Sequence, residues 1–389
     1  MSSPERISSR AAGPPPLLPL TILTGFLGAG KTTLLNRMLQ DPALADTVVI
    51  INEFGEIGLD HLLVETVDEG LILLAAGCLC CTVRGDLIAT LEDLLRRRDN
   101  GRITPFRRVV IETTDLADPA PILHAVLYHP YLSMRYALEG VVTVVDAVNA
   151  EDTLRTHREA VRQVAVAERV VIAKADLVDA GRLARLTSRI LDLNPGAVIL
   201  PGDAPVVDVL SGGLFGLDGK IASVGDWLRT EAVEAAEHAS HAHRHGPSAH
   251  AHGSHAHAGH HAHDVNRHDA SIRAFCLTSD APVRQAALDV FLDLLRSAQG
   301  AKLLRVKGLV GLAEDPEHPV VIHGVQHVIH VPATLPRWPD ADRRTRIVFI
   351  VDGIGREAVE RLWNAVLGKP SIDEPDAAAL TDNPLSLRR

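Results

Sequence analysis

The segment LTILTGFLGAGKTTLL occupies residues 20–35 and joins an apolar run to a glycine-rich loop and a helical pattern. Residues 25–32 of this segment fit the pattern G-x-x-x-x-G-K-[ST] at every position. Glycines let successive backbone N–H groups point into one concavity, and the N-terminus of a following helix adds partial positive charge. The segment therefore predicts a strand, a phosphate-binding loop and a helix. The alternative is a glycine-rich turn with a chance lysine.

The residues of this loop have predicted parts in binding a nucleotide. Lys31 is expected to reach the β- and γ-phosphates and to act in catalysis, and Thr32 is expected to ligate Mg²⁺. The predicted nucleotide-binding residues of the loop and of the helix start are Gly25, Gly28, Ala29, Gly30, Lys31, Thr32 and Thr33.

Short β-branched runs alternate with helical patterns on the C-terminal side of the loop. The predicted strands are 20–24, 48–51, 71–75, 109–112, 141–146, 170–173 and 198–200, and the predicted helices include 32–40 and 86–98. The strands are almost wholly apolar, as expected for parallel strands covered on both faces. This alternation predicts an α/β fold with a doubly wound, mostly parallel sheet over residues 18–228.

Two later segments bear on which nucleotide the loop binds. The strand 109–112 ends in Glu112, a carboxylate suited to a second-shell Mg²⁺ contact or to positioning water near the γ-phosphate. The strand 170–173 is followed by Lys174 and Asp176. The Asp176 carboxylate can accept from guanine N1–H and from the 2-amino group while the Lys174 stem packs on the base. Adenine lacks this donor pair, so the spacing favours GTP. The alternatives are a solvated strand-end glutamate and a polar strand-to-helix turn.

Three of the four cysteines lie within four residues, as Cys78, Cys80 and Cys81, and follow the strand 71–75. Thiolates are soft ligands suited to Zn²⁺, and three of them can supply three corners of a tetrahedron. An open fourth position suits a metal that is transferred. The alternatives are small apolar side chains in a core turn and a redox-sensing thiol pair. Cys276 stands alone in a predicted strand and is expected to be core.

Residues 229–270 form a His-rich linker without helical or strand periodicity. Imidazoles on a flexible chain capture Zn²⁺, Ni²⁺ or Co²⁺ loosely. The alternative is a low-complexity linker without a chemical role. The residues assigned to this loose capture are His241, His243, His245, His255 and His257.

A second domain is predicted over residues 271–368, where strands and helices mix without strict alternation. Its predicted strands are 272–277, 303–306, 320–322, 328–330 and 346–351, and its predicted helices are 282–297 and 357–367. This pattern is typical of an α+β domain. The ends of the chain, residues 1–17 and 369–389, are expected to be disordered.

The formal net charge is −10, which argues against bulk binding of a nucleic-acid backbone. No apolar stretch approaches the length of a membrane span, and no secretory signal is found. Cysteines this close together are poor partners for structural disulfides. A cytoplasmic protein with a metal or redox role fits this cysteine pattern.

Taken together, these segments resemble the CobW/YjiA-like GTPases, a metallochaperone family of phosphate-loop proteins. The resemblance is carried by residues 24–35, 52–56, 77–81, 111–114, 116–119 and 144–147 and, in the second domain, by 303–308, 324–326 and 346–350. The sequence Cys-x-Cys-Cys in a phosphate-loop protein is its most specific part.

The resemblance implies a cytoplasmic zinc chaperone that passes metal to a client metalloprotein as it hydrolyses GTP to GDP. Cys78, Cys80 and Cys81 would hold the metal, and Glu112 would serve the catalytic switch. Glu53 and His129 are weaker candidates near the metal or the switch. The client, the fourth metal ligand and the oligomeric state are left open.

Two positions depart from the family pattern. Asp115 stands where the family has a glycine whose N–H meets the γ-phosphate, so it brings a β-carbon and a negative charge into the catalytic switch. Ala173 stands where asparagine is common, and the loss of one neutral hydrogen bond costs about 0.5–1.5 kcal/mol. We expect slower hydrolysis from the first departure and weaker guanine affinity from the second.

Three other functions remain open at this point. The first is a metal-storage protein whose nucleotide site is vestigial. The second is a chaperone for another metal, such as cobalt for a corrin-ring chelatase or a nitrile hydratase centre. The third is a small-molecule kinase, which the cysteine triplet and the Lys-x-Asp sequence disfavour.

Overall fold

The computed structural model describes residues 15–52, 64–67, 71–76, 84–210, 272–300 and 302–369. The first part contains a sheet with the strand order β3-β4-β2-β5-β1-β6-β7-β8. Its strands are β1 (Leu18–Gly25), β2 (Thr47–Asn52), β3 (Val64–Val67), β4 (Leu71–Ala76), β5 (Arg108–Glu112), β6 (Tyr136–Asp146), β7 (Arg169–Ala173) and β8 (Val198–Pro201).

Strand β3 pairs antiparallel with β4, and the other neighbours in this sheet pair in parallel. The helices that connect them are α1 (Lys31–Leu39), α2 (Arg84–Asp99), α3 (Ala120–Tyr128), α4 (Ala150–Thr156), α5 (Arg158–Val166), α6 (Ala180–Leu193) and α7 (Val206–Leu210).

Helices cover both faces of this sheet. Because side chains alternate along a strand, Leu20 and Ile22 of β1 pack in one apolar cluster with α2 and α3, while Leu23 packs in another with α1 and α7. A third cluster joins α4, α5 and α6 to β7. The doubly wound, mostly parallel α/β fold is confirmed.

The second part is an antiparallel sheet with the order β12-β11-β10-β14-β9, and β13 pairs with β11. Its elements are β9 (Ile272–Ser279), α8 (Gln285–Gln299), β10 (Leu303–Val310), β11 (Val320–Val325), β12 (Val328–Ile329), β13 (Ala333–Thr334), β14 (Thr345–Asp352) and α9 (Arg356–Val366). Helices α8 and α9 pack with the sheet around one apolar cluster that includes Phe291, Phe349 and Trp363.

Several predicted boundaries differ from the structure. Strand β10 runs to Val310 rather than to residue 306, and β11 runs to Val325 rather than to residue 322. Helix α8 begins at Gln285 because Val283 instead bridges to Leu312, and its N–H donates to the Gly311 carbonyl. Strand β6 begins five residues before the predicted 141–146, since Gly140 lets the chain pass closely over Glu168. Strand β12 ends at Ile329, one residue before the predicted end of 328–330.

The two parts meet around Glu168, which lies between α5 and β7. Arg305 of β10 pairs with the Glu168 carboxylate, and Lys307 Nζ lies 3.0 Å from Oε2. All three side chains are at least nine-tenths buried. Arg305 Nη1 also donates to the Val166 and Ala167 carbonyls at 2.6 Å. Charge pairing and backbone hydrogen bonds therefore join the two parts at one buried point.

Among the described residues, no helix combines the length and the apolar character needed to cross a lipid bilayer. The predicted domain boundaries near residues 228 and 270 lie outside the described residues. So do residues 1–14 of the predicted disordered end 1–17 and residues 370–389 of the predicted disordered end 369–389.

Candidate functional site

The turn between β1 and α1 has a backbone that only glycine adopts readily. Gly25, Gly28 and Gly30 have φ values of 152°, 71° and 100°, which disfavour a side chain. A β-carbon on Gly25 would also lie 2.5 Å from the carbonyl oxygen of Val144. The three glycines of the predicted phosphate loop are thus each required by its shape.

Lys31 begins α1 and is 6% exposed. Its Nζ donates to the Gly25 carbonyl at 2.8 Å and forms an ion pair with the Asp115 carboxylate. Thr32 and Thr33 follow in the first helical turn and are exposed. The lysine therefore lies back across its own loop, and a carboxylate from a different loop neutralises it.

Asp115 belongs to the segment that follows β5. Glu112 ends that strand, is 5% exposed, and pairs in register with Leu23 of β1 and Ile51 of β2. The next residue, Thr113, donates from Oγ1 to Thr24 Oγ1 at 2.8 Å. These contacts hold Glu112 and Asp115 beside the phosphate loop. The structure thus brings Lys31 and Asp115 into contact and places Glu112 at the end of the strand next to β1, while the roles of all three stay predictions.

Residues 113–118, called here the β5 loop, are held from two sides. Gln163 of α5 donates from Nε2 to the Asp115 and Ala117 carbonyls at 3.1 and 3.2 Å. Gln326, in the turn between β11 and β12, donates to Asp118 Oδ2 at 2.6 Å. Sequence reasoning missed both glutamines as site residues. Only the sequence Gly324-Val325-Gln326 carried a signal, through its resemblance to the family.

The turn after β7 approaches the phosphate loop from the opposite side. Lys174 has a left-handed backbone with φ 57°, and its Nζ donates to the Gly28 carbonyl at 2.8 Å. Asp176 is exposed in the short helical turn Ala175–Leu177. The predicted base-reading pair therefore lies next to the predicted phosphate loop.

Asp146, at the end of β6, is the partner of this lysine. Its Oδ2 accepts from Lys174 Nζ at 2.9 Å. Burial raises the pKa of Asp146, but hydrogen bonds from Lys174, Asn149 and the backbone outweigh it, so the pKa lies below its usual value. Asp146 is thus held as a carboxylate. Sequence reasoning included it in the resemblance but assigned it no role.

The predicted metal ligands lie mostly outside the described residues. This holds for Cys78, Cys80 and Cys81, for Glu53, and for the histidines assigned to loose capture: His241, His243, His245, His255 and His257. No group of three or more candidate ligands that could hold a metal occurs among the described residues. Cys276 is buried, in agreement with its predicted place in the core.

His129 directly follows α3, so the nine residues of that helix, about 13 Å long, lie between it and the β5 loop. Its Nδ1 accepts from the Leu132 N–H at 3.4 Å, and its Nε2 lies 3.7 Å from Glu92 Oε1. These are contacts of a helix end. The assignment of His129 to metal binding stays a prediction.

The end of β4, two residues before Cys78, lies among the described residues. Cys78 follows the last residue of β4 by two positions, and β4 is parallel to β2, β5 and β1. The carboxyl ends of parallel strands lie at one edge, so the chain leaves β4 at the edge that carries the phosphate loop. Three strand spacings separate β4 from β1, or about 14 Å.

The first strand of this parallel sheet runs into a glycine loop and a lysine, and a later strand is followed by Lys-x-Asp. This combination defines a phosphate-loop protein of the GTPase class. The CobW/HypB/UreG nucleotide-binding domain matches residues 19–201, and the cobalamin synthesis protein cobW C-terminal domain matches residues 272–367. The chain therefore belongs to the CobW family of GTPases.

Individual relatives agree with this assignment. The zinc chaperone YjiA of Escherichia coli is 31% identical over 332 residues, which cover 85% of this chain and 93% of YjiA. The zinc-regulated GTPase metalloprotein activator 1 of Schizosaccharomyces pombe is 36% identical over 190 residues, 47% of this chain and 45% of that protein. The crystal structure of Zn(II)-bound YjiA GTPase from E. coli superposes with a TM-score of 0.64 at 27% identity, covering 90% of this chain and 99% of YjiA.

Proposed function

We propose that this chain is a GTP-dependent zinc metallochaperone, which holds Zn²⁺ at Cys78, Cys80 and Cys81 and passes it to a client metalloprotein as GTP is hydrolysed. Membership in the CobW family supports a metallochaperone GTPase. The names of the relatives, two of which are a zinc chaperone and a zinc-regulated GTPase, support zinc as the cargo.

The observation that carries the proposal is the ion pair between Lys31 and Asp115. Lys31 is the group expected to meet the β- and γ-phosphates. A triphosphate that takes Lys31 must therefore displace the Asp115 carboxylate, and with it the β5 loop. The state of the nucleotide would then set the position of that loop.

The metal site would sense this change through the shared edge of the sheet. Strands β2, β4 and β5 are neighbours, and the cysteine segment follows β4. Glu53 follows β2 directly. A shift in the β5 loop would reach the cysteines across two strands, and hydrolysis would return the loop to Lys31 and open the metal site to a client.

The residues near the loop suit the chemistry of hydrolysis. Mg²⁺ would supply charge neutralisation between the β- and γ-phosphates, with Thr32 as its ligand. Glu112 ends β5 between β1 and β2, where it would orient the attacking water or the water ligands of Mg²⁺. Lys174 and Asp176 would select guanine. Asp115 would slow the reaction by repelling the triphosphate.

The remaining assignments follow from this function. Residues 229–270 would gather Zn²⁺, with Co²⁺ and Ni²⁺ also possible ligands for their imidazoles, and would join the GTPase domain to the C-terminal domain. The C-terminal domain would contact the client. Delivery to an intracellular client would place the protein in the cytoplasm.

The same ion pair also supports a second candidate, a metal-storage protein with an idle nucleotide site. A permanent ion pair between Asp115 and Lys31 would exclude phosphate from the loop. Metal binding would then be indifferent to nucleotide, whereas in a metallochaperone it must depend on nucleotide.

The test measures Zn²⁺ affinity by competition with a chromophoric chelator, in protein lacking residues 238–263 so that loose capture does not obscure the cysteine site. It is done with Mg²⁺ and either GDP or a non-hydrolysable GTP analogue. Linkage requires any difference to reappear in nucleotide affinity, with couplings of about 1–3 kcal/mol. We expect a difference of this size that disappears in Cys80→Ser. Equal affinities would favour storage.

A further inference from the structure

Asp146 forms more hydrogen bonds than the end of a strand requires. Its Oδ2 accepts from Lys174 Nζ at 2.9 Å and from Asn149 Nδ2 at 2.8 Å, and its Oδ1 accepts from the Val148 N–H at 2.8 Å. The residue is 8% exposed. A carboxylate held by three donors has a fixed position, and it therefore fixes the ammonium group that it contacts.

Among the contacts described for these three partners of Asp146, only those of Lys174 include the phosphate loop. Its ammonium bridges Asp146 Oδ2 and the Gly28 carbonyl, 2.9 and 2.8 Å away. Its side chain is 38% exposed, so the stem borders solvent above the loop. Both ends of the side chain are thus held, while one surface of the stem remains open to a ligand.

The neighbouring residue cannot supply such a bridge. Ala173 precedes Lys174 and carries no polar atom beyond its backbone. A β-carbon placed on Gly30 would lie 3.4 Å from the Ala173 β-carbon, so Ala173 packs directly on the phosphate loop. An amide side chain at position 173 could tether that loop by a hydrogen bond, and alanine cannot.

We propose that Asp146 is a positioning residue for nucleotide binding, which acts through Lys174 and takes over the anchoring that Ala173 cannot give. This proposal rests on the proposed guanine site. Asp146 holds the Lys174 stem in the plane on which a purine base stacks. It contacts neither the base edge nor the reacting phosphate, so it sets nucleotide affinity and leaves the hydrolysis step unchanged.

A double-mutant cycle tests the proposal in the full-length protein, with GDP affinity measured by isothermal titration calorimetry. The variants are Asp146→Asn, Lys174→Met and the two combined. We expect each single variant to weaken GDP binding by about five- to tenfold, and the double variant to match Lys174→Met within a factor of two. Losses that multiply in the double variant would overturn the proposal, as would an Asp146→Asn protein with unchanged affinity.

Asn149→Ala separates positioning from support of the local turn. Asn149 contacts Asp146 but has no described contact with Lys174. The Val148 N–H and Lys174 still hold the Asp146 carboxylate in this variant, so we expect GDP affinity within a factor of two of the unmodified protein. A loss equal to that of Asp146→Asn would show that Asp146 acts through the turn, and the proposal would be wrong.

Steady-state GTP hydrolysis gives a readout that damage to the fold does not mimic. In Asp146→Asn we expect KM for GTP to rise about five- to tenfold while kcat stays within a factor of two. A partly unfolded sample lowers apparent kcat at constant KM, and that result would count against the proposal.

The proposal that the site selects guanine can be wrong while the proposal about Asp146 holds. It is wrong if the unmodified protein binds ADP as tightly as GDP. Because the Lys174 stem faces the surface of the base rather than its edge, the cycle would still report its coupling to Asp146 with ADP. A protein that binds neither nucleotide would overturn both proposals.

Discussion

Two carboxylates in this molecule each neutralise a buried cation, and their surroundings differ. The Asp115 side chain, which meets Lys31 at the phosphate loop, is 40% exposed. The Glu168 side chain, which meets Arg305 and Lys307 where the two parts join, is 8% exposed. Exposed ion pairs contribute about 0–1 kcal/mol and can exchange partners, whereas breaking a buried pair leaves a charge without compensation. The first pair can therefore open when a ligand competes for Lys31. The second pair can only stabilise the contact between the two parts.

The chemistry around Glu168 agrees with a structural role. Burial alone would raise its pKa, but Arg305, Lys307 and His323 hold the pKa well below its usual range. Its Oε1 lies 3.6 Å from His323 Nε2, and His323 stacks on His330 with ring centroids 4.6 Å apart. Gly140 gives Glu168 room, since a β-carbon there would lie 2.7 Å from Glu168 Cγ.

The largest effect is expected from Glu168→Gln. The amide has the same shape but leaves Arg305 and Lys307 buried without a counter-charge, which costs about 3–5 kcal/mol in the free energy of unfolding. Urea unfolding followed by circular dichroism measures this loss. The matched control is Asp152→Asn, which breaks an exposed pair with Arg155 and should cost less than about 1 kcal/mol.

A second substitution identifies the cause of that loss. Arg305→Met in the Glu168→Gln background removes one of the uncompensated charges, so it should cost less than Arg305→Met alone. If the two substitutions simply add, or if Glu168→Gln costs no more than its control, then the contrast between the two carboxylates does not hold.

The same junction predicts a pH dependence. Burial lowers the pKa of His330 to about 4, and Arg305 adds to this effect while Glu168 opposes it. The folded state then binds fewer protons than the unfolded chain between pH 6.5 and 4, so stability is full above that window and falls as pH falls through it. The pKa of His323 is also lowered, by burial and then by His330, so it adds in the same direction.

Between pH 7.5 and 5.5 we expect His330 to account for roughly 1.4 kcal/mol of lost stability by linkage. In His330→Gln, urea unfolding at the two pH values should show a smaller loss by about that amount. His318→Gln is the control, because His318 is exposed and pairs with Asp315. Equal pH dependence in His330→Gln and the unmodified protein would contradict the assignment.

The exposed carboxylate should show the opposite pattern, a change in binding with little change in stability. Asp115→Gly removes the charge that occupies Lys31 and repels a triphosphate, so we expect GTP to bind about three- to tenfold more tightly. Stability should fall by less than in Glu168→Gln, because the lost carboxylate is 40% exposed and buried Lys31 keeps its hydrogen bond to the Gly25 carbonyl. A non-hydrolysable GTP analogue and calorimetry give the affinity.

Asp115→Asn is the matched variant, since it keeps the β-carbon and removes the charge. Equal gains in the two variants would assign the effect to charge, and a gain in Asp115→Gly alone would assign it to the β-carbon. If neither variant binds GTP more tightly, Asp115 does not compete with the nucleotide.

The contrast also shows what the sequence could reveal. The loop Gly25–Thr32, the strand that ends in Glu112 and the Lys174 turn were all predictable, because local spacing and apolar periodicity determine them. Strand order then brings these elements to one edge of the sheet. The departure at Asp115 was visible in the sequence, but its ion pair with Lys31 was not.

The sequence gives no sign of the Glu168 junction, because Glu168 lies 137 or more residues from Arg305 and Lys307 and each residue looks ordinary in its own segment. Arg305 and Lys307 read as alternate polar residues on a strand with one solvated face, yet β10 is buried along its whole length. Burial of that second face depends on contact between the two parts. No local pattern encodes this contact.

The smallest effect on nucleotide affinity is expected at Gln326, which connects the two regions through its hydrogen bond to Asp118. Gln326→Ala should cost about 0.5–1.5 kcal/mol in stability. Gln326→Gly removes the same bond but suits the left-handed backbone, with φ 53°, so it should be more stable than the alanine variant by about 1 kcal/mol. Urea unfolding of the pair measures this difference.

Nucleotide binding then decides whether this bond couples the two regions. Tyr128→Phe is the matched control, since Tyr128 bonds to Ile329 in the same hairpin but does not touch the β5 loop. If the C-terminal domain restrains that loop, both Gln326 variants should shift GTP affinity by up to about threefold, and Tyr128→Phe should leave it unchanged. Equal shifts in all three would mean that any loosening of the hairpin is felt at the phosphate loop. Unchanged GTP affinity in all three variants would mean that the β5 loop moves independently of the C-terminal domain. The ion pairs of Glu168 would then contribute to stability alone.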